Sequence, residues 1–222
     1  MTERGLVPFA GLDPAHRAVV RHVYESSFPL ALRAPWEEIV ASRPDEELLV
    51  LLDDARYEAP PVGLAVVRHL GGTSLSFLRY FVVDAEHRGG GHGSALLSAL
   101  VAHLREAELS MLLLDVEDPD GRPENSPDRR DDLRRIDFYR RHGVHLLAVR
   151  EYAPPDHGQE GEEPRLLLMG ASLREPADEG LPLGPAPVGP VLRDAVTAVY
   201  RGRYGLDPDD PVVLATLRAS GL

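Results

Sequence analysis

Six consecutive residues, Arg88-Gly89-Gly90-Gly91-His92-Gly93, carry the clearest chemical signal in the chain. They stand between an apolar run ending at Val83 and a segment in which Leu96, Leu97, Leu100, Val101 and Leu104 recur at helical spacing. A strand, a glycine-rich turn and a helix in that order present successive backbone N–H groups and the positive end of a helix dipole to an anion. Glycines in such a turn let the backbone come close to a bulky ligand. The dinucleotide fingerprint G-x-G-x-x-G fails, because counting from Gly89 its last position is Ser94. The Walker phosphate loop fails too, since no Gly-Lys-Ser/Thr occurs. R-x-x-G-x-G fits, with Arg88, Gly91 and Gly93 in place. A flexible turn leading into a helix is the plainer reading of the same residues.

Other chemistries are removed by composition. Cysteine is absent, which excludes disulfides, thiolate nucleophiles, cysteine-zinc sites and iron–sulfur clusters. All 24 basic residues are arginine, so no lysine is available for a Schiff base. The nine histidines form no metal pattern: His142 and His145 flank a glycine, and His16 and His22 lie six apart. No metal is expected. Arg129, Arg130, Arg134 and Arg135 would suit a carboxylate or phosphate on a substrate, but Asp128, Asp131, Asp132 and Asp137 beside them make a solvated helix face the simpler reading. His87 has a side chain that titrates near neutrality, yet Glu86 and Arg88 around it suit an exposed turn equally well.

The elements that must position the glycine turn follow from periodicity. Asp13 as N-cap and Pro14 at the first helical position open a helix to Phe28, with Ala15, Val19, Val20, Val23 and Tyr24 on its apolar stripe. A short helix is expected over Pro35–Ser42. Apolar runs at Leu48–Leu52, Val62–Leu70 and Leu75–Val83, separated by Asp53-Asp54 and Gly71-Gly72, predict an antiparallel meander. Met111–Val116 reads as a buried strand, which gives Leu75–Val116 a βαβ form and favours parallel neighbours. A polar loop, Asp118–Asp132, leads to a helix ending near His142-Gly143. Strands are expected at Val144–Tyr152 and Arg165–Ser172 around an acidic loop, Pro154–Glu163. Glu175–Pro190 reads as a Pro/Gly-rich strap, and Val191–Tyr200 and Asp210–Ala219 as helices. Two short helices cannot hold a core of their own, so residues 176–222 are expected to pack on a domain made by residues 1–175.

On these residues the chain resembles the GNAT superfamily of N-acetyltransferases. V-V-D-A-E-H-R-G-G-G-H-G is similar to the segment with which that family holds the pyrophosphate of acetyl-coenzyme A. Asp137-Phe138-Tyr139-Arg140-Arg141-His142-Gly143-Val144 is similar to its F-Y-x-x-x-G-F/V segment, and E-S-S-F-P, before the second helix, to its N-terminal part. The resemblance implies an α/β (α+β) fold with a mixed, mostly antiparallel central sheet, a splayed strand pair and helices on both faces, here with a C-terminal helical extension. It implies acetyl-coenzyme A as co-substrate between the splayed strands. Phe81, Val82 and Val83 would hold the pantetheine arm, the backbone groups of Phe81 and Val83 pairing with it. Amides of Arg88, Gly89, Gly90, Gly91, His92, Gly93 and Ser94 would hold the pyrophosphate. Tyr139 falls where the family places a tyrosine near the thioester sulfur, and a phenol with a reference pKa of about 10 remains a donor at neutral pH.

The amine must also lose a proton, and Ser74–Val83 contains no carboxylate to take it. Glu117, just past the fifth strand, and Glu25, at the end of the first helix, are the candidates, each with a surface carboxylate as its plainer reading. Many members carry an asparagine soon after the fifth strand, whereas Asp118–Asp132 is longer and charged here, so Asn125 is not assigned that role. The expected activity is transfer of an acetyl group to a primary amine of a small acceptor by direct attack. The alternatives are a non-catalytic acyl-coenzyme A-binding sensor on the same scaffold, and acetylation of a protein amine. With 36 acidic against 24 basic residues the formal charge is −12, which repels polyanions and leaves nucleic acid no part. It favours a cationic acceptor. No apolar run approaches the roughly 18 residues of a spanning helix and the N-terminus has no secretory pattern, so no membrane partner and a cytoplasmic location are expected. Dimers are frequent in the family, and the C-terminal strap and helix offer a surface for a homodimer.

Overall fold

The computed structural model describes residues 5–28, 30, 33–41, 43–54, 59–155, 165–174 and 183–222. Seven strands run in chain order: β1 (Gly5–Pro8), β2 (Glu46–Leu52), β3 (Pro61–His69), β4 (Leu75–Val83), β5 (Met111–Glu117), β6 (His145–Leu146) and β7 (Leu166–Ser172). The helices are α1 (Pro14–Ser27), α2 (Trp36–Ile39), α3 (His92–Glu106), α4 (Pro127–Arg141), α5 (Gly189–Tyr204) and α6 (Pro211–Ala219). The chain forms two compact units, Met1–Arg68 with Leu78–Ala107, and His69–Phe77 with Glu108–Leu222. The strand order is β1-β2-β3-β4-β5-β7-β6, with β4 belonging to both units by its two halves.

In the first unit β1–β2 and β2–β3 are antiparallel, with an irregularity at Leu51/Leu52. Its core joins Val20, Val23 and Tyr24 of α1 to Val50, Leu52, Leu64, Val66, Tyr80 and Val82 of the sheet. Asp13 starts α1 as the sequence requires: its Oδ1 accepts from the N–H groups of Ala15 (2.8 Å) and His16 (3.0 Å). Arg79 of β4 is consumed structurally, donating to Glu46 of β2 at 2.6 and 2.7 Å and to Glu38 of α2 at 3.2 Å.

In the second unit β4 and β5 are parallel neighbours in register over Leu75↔Met111, Ser76↔Leu112 and Phe77↔Leu113. That ladder stops at Phe77, although β4 runs on to Val83 and β5 to Glu117. β7 pairs antiparallel along the whole of β5, and with β6. The sheet is therefore mixed and mostly antiparallel. Most of the second core comes from the last two helices: Leu192, Val196, Val199 and Tyr200 of α5 and Val213 and Leu217 of α6 close over Phe77, Met111, Leu113 and Leu168. Gly202 makes this approach feasible, because a Cβ there would meet Leu70 Cδ2 at 2.8 Å and Leu70 Cα at 3.2 Å.

Four expectations need correction. α4 begins at Pro127, inside the stretch Asp118–Asp132 expected as a loop. β1 is a further strand, four residues long and ending on a proline, too short to show a period. α2 covers only Trp36–Ile39 of the expected Pro35–Ser42, and Ser42 lies outside the described residues. The strand expected at Val144–Tyr152 is reduced to His145–Leu146. Beyond it, helix side chains capture the backbone: Arg150 N–H donates to Ser220 Oγ (2.9 Å), Glu151 C=O accepts from Thr216 Oγ1 (2.8 Å) and Ala153 N–H donates to Tyr200 Oη (3.1 Å). With those groups engaged, no ladder continues. Most of the acidic loop and residues 175–182 of the strap lie outside the described residues; Gly184 closes a bridge to Ser172 (2.9 Å).

Candidate active site

The glycine turn sits wholly within the first unit. β4 ends at Val83, a 3-10 turn spans Ala85–His87, and α3 begins at His92. Gly89 and Gly91 have φ of 83° and 77°, the left-handed region, and nothing lies within 4 Å of where a Cβ would stand on either. The open space together with the positive φ is what a ligand-facing backbone requires. Gly91 is the N-cap of α3 and brings no side chain to it. The first intrahelical bond runs from Ala95 N–H to Gly91 C=O (3.0 Å), so the N–H groups of His92, Gly93 and Ser94 open the helix as an uncapped terminus. A phosphate group fits this donor set.

Side chains hold the turn. Arg88 Nε donates to Val83 C=O (3.2 Å), and His87 Nδ1 lies 3.3 Å from Asp84 Oδ2. His92 has a carbonyl oxygen, that of His87, at 2.8 Å from Nδ1 and a carboxylate oxygen, that of Asp53, at 3.0 Å from Nε2. On β4 the side chains of Phe81 and Val83 are half-buried, while Val82 between them points into the core. Glu25, also in this unit, is partly exposed and accepts from Arg21 Nε at 2.9 Å, one turn earlier.

The second unit holds Tyr139 and Glu117. Ser126 caps α4 by accepting from Arg129 N–H (3.1 Å), with Pro127 at the first position. Thirteen residues after the cap comes Tyr139, 5% exposed. Burial pushes its hydroxyl pKa upward; the Arg135 charge opposes this and the Asp115 charge adds to it. Tyr139 is therefore a proton holder at neutral pH. Glu117, at the end of β5, accepts from Arg135 Nη1, and Asp132 lies 3.8 Å from the same nitrogen. The neighbouring arginines are likewise paired, Arg129 with Asp120 and Arg134 with Asp131, which makes that helix face a charge-balanced surface.

One constellation was not anticipated from sequence. Asp115 of β5 accepts at Oδ2 from Tyr204 Oη of α5 (2.7 Å) and from Tyr152 Oη (3.4 Å), and the two hydroxyls are 3.3 Å apart. Removal from water raises the Asp115 pKa, against the pull of Tyr204, of the Arg203 charge and of Tyr152. The only local signal is an aspartate inside the apolar run M-L-L-L-D-V-E; its partners come 37 and 89 residues later.

The sequence profile of the acetyltransferase (GNAT) family matches residues 16–126, half of the chain. The fold is that of a protein from Bacteroides thetaiotaomicron described as a GNAT-family acetyltransferase, with 18% identity over 92% of this chain and 99% of that one and a TM-score of 0.64. It is similar also to an aminoglycoside 6'-N-acetyltransferase complexed with coenzyme A, at 15% identity, 78% and 99% coverage and a TM-score of 0.53. A protein of Desulfovibrio desulfuricans described as a GNAT-family acetyltransferase matches at 18% identity, 77% and 99% coverage and a TM-score of 0.52. No curated protein matches the chain. The chain belongs to the GNAT acetyltransferase family, whose members use acetyl-coenzyme A. No helix among the described residues is long and apolar enough to cross a membrane, and no group of three or more histidine, aspartate or glutamate side chains among them is placed to hold a metal.

Proposed function

We propose that this protein transfers the acetyl group of acetyl-coenzyme A to the primary amine of a small, cationic acceptor by direct attack. The uncapped start of α3, preceded by two left-handed glycines with open space beside them, carries this reading. Acetyl-coenzyme A supplies the activated acyl carbon as a thioester. The N–H groups from Arg88 to Ser94 bind the pyrophosphate, the backbone of Phe81, Val82 and Val83 orients the pantetheine arm, and the Tyr139 hydroxyl gives its proton to the leaving sulfur. Glu117 and Glu25 serve poorly as bases, because each is already an ion-pair partner of an arginine. The net charge of −12 favours a cationic acceptor over an anionic one.

Calorimetric titration with acetyl-coenzyme A, on the native chain and on Gly91→Glu, tests the assignment of the turn. Micromolar binding by the native chain and a loss of ~100-fold or more in the variant are expected, since a carboxylate would face the phosphates and a side chain would occupy the left-handed position. Native protein that fails to bind overturns the reading. Thiol release in the presence of an amine panel then separates transfer from binding alone; the chain has no cysteine to contribute background. Tight binding without turnover on any amine would favour the sensor alternative.

A further inference from the structure

A carboxylate inside an apolar strand is costly to hold, and its surroundings indicate what it is for. Asp115 lies between Leu114 and Val116, both buried, and its backbone is in register with Leu168 of β7. A carboxylate that serves only the fold is ordinarily closed off by an arginine, as Glu117 and Asp132 are by Arg135 and Arg122. Asp115 has no ion pair among the described residues, and it retains some exposure to solvent. Both tyrosine hydroxyls donate to Oδ2. No side chain among the described residues donates to Oδ1, and the remaining donor to the carboxylate is the Asp115 backbone N–H.

The side chains bonded to Asp115 are aromatic. Tyr152, Tyr200 and Tyr204 stand in sequence, with ring centroids 5.7 Å apart for the first pair and 6.2 Å for the second, and the first and last of them reach Asp115 through their hydroxyls. Aromatic faces beside a carboxylate are the ordinary receptor for an ammonium group. Burial and the Asp115 charge keep Tyr152 and Tyr204 protonated, so both remain donors that fix the carboxylate at every working pH. Tyr139 feels the Asp115 charge as well, which puts a hydroxyl that keeps its proton and a carboxylate in one neighbourhood.

We propose that Asp115, held by Tyr204 and Tyr152, receives the acceptor's primary ammonium group at Oδ1 and takes its proton. This rests on the acetyl-transfer reading above and supplies the base which that reading lacks. Asp115 Oδ1 accepts one proton from the ammonium nitrogen, and the freed lone pair forms the N–C bond to the acetyl carbon. As the C–S bond breaks, the sulfur keeps the bonding pair and takes the Tyr139 proton. The second proton leaving nitrogen restores the Tyr139 hydroxyl, and the Asp115 carboxyl returns its own to solvent. One ammonium and one thioester give one amide, one thiol and one proton.

Two variants separate this role from a structural one. Asp115→Asn keeps an oxygen for both tyrosine hydroxyls but neither charge nor basicity. Tyr204→Phe removes the 2.7 Å bond that holds the Asp115 pKa down. The groups acting on Asp115 are Tyr204 and Arg203 of α5 and Tyr152, and Tyr139 of α4 feels its charge. The tyrosines among them are all pushed up, away from the acid range, so an acid limb reports the carboxylate. With butylamine as probe, Asp115→Asn is expected to lose about 10²–10⁴-fold in thiol release, and Tyr204→Phe to move the acid limb of the pH profile upward. In carbon-13 spectra of aspartate-labelled native protein, butylammonium is expected to shift one carboxyl resonance saturably. That resonance is missing in Asp115→Asn and unmoved by butanol. Failure of the native spectrum to respond overturns the proposal, as does Asp115→Asn turnover within about threefold of native. Calorimetry with acetyl-coenzyme A accompanies both: if the native chain does not bind it, the acetyl-transfer reading has failed, and the carboxyl spectrum still decides Asp115.

Discussion

The turn from Arg88 to Ser94 and the carboxylate of Asp115 are proposed to bind by opposite means. The turn would work through main-chain N–H groups on consecutive residues, and its two key positions, Gly89 and Gly91, would contribute by lacking side chains, with open space beside both. Asp115 works through a side chain whose partners lie 37 and 89 residues away and whose surroundings are supplied by the C-terminal helices. The turn therefore tolerates exchange of most side chains but not a changed backbone. The carboxylate, on the proposed reading, should be sensitive to a changed partner. Cofactor grip and acceptor chemistry are consequently separable, and mutations should divide between them.

The largest separation is expected from Tyr139→Phe. The phenol ring keeps its place beside Phe138, at 5.3 Å between centroids, so packing changes little while the proton is lost. Turnover is expected to fall about 10²–10⁴-fold with acetyl-coenzyme A affinity within a factor of two, measured by thiol release and calorimetry on one preparation. Equal turnover would remove Tyr139 as the acid. Equal losses in both quantities would mean that the ring grips the cofactor, and the division would be less clean.

A smaller effect is expected from Gly202→Ala, aimed at the helix that carries Tyr204. The new methyl would meet Leu70 at under 3 Å, and forced overpacking of this kind costs typically about 1–3 kcal/mol. Thermal unfolding should record that loss. Acetyl-coenzyme A affinity should hold while butylamine turnover falls, because α5 shifts beneath Tyr204. Parallel loss of both would mean that strain in this core reaches the glycine turn.

The same contrast explains what the sequence disclosed. Seven consecutive residues with an arginine, four glycines and a helix behind them are legible because the information is local. Two helix starts were legible for the same reason: Asp13-Pro14 and Asp210-Pro211 each put a side-chain acceptor directly before a proline, and each caps its helix; Ser126-Pro127 caps α4 in the same way but falls in the stretch that reads as a loop. The meander and the βαβ unit followed from apolar runs and their turns. Asp115 was not legible, since a single aspartate in an apolar strand carries no period, and Tyr204 meets it only once α5 has packed on Met111, Leu113 and Phe77. The irregular course after Leu146 was lost in the same way. Val144–Tyr152 has the composition of a strand, and only the side chains of α5, α6 and Ser220 reveal where its backbone bonds go.

The finest test of the contrast uses the pH dependence of stability. In the folded chain removal from water raises the Asp115 pKa above its unfolded value. The native fold is then favoured by this group below the ordinary carboxylate range, where both states hold the proton. The benefit is lost as pH rises through the raised folded value, because the unfolded carboxylate ionises in water and the folded one must ionise among tyrosines. Asp13 has the opposite sign: the His16 amide and ring hold its pKa below the usual value, so its contribution is present at neutral pH and disappears as pH falls through that lowered value. Subtracting the unfolding curves of Asp115→Asn from those of the native chain between about pH 3 and pH 8 cancels Asp13 and every other shared group. The difference should turn against the native chain as pH rises and then level off. Butylammonium should reduce it in the native chain alone, because a bound cation stabilises the folded carboxylate. A difference that stays flat would mean that folding leaves the Asp115 pKa unchanged, and the contrast with the glycine turn would lose its electrostatic ground.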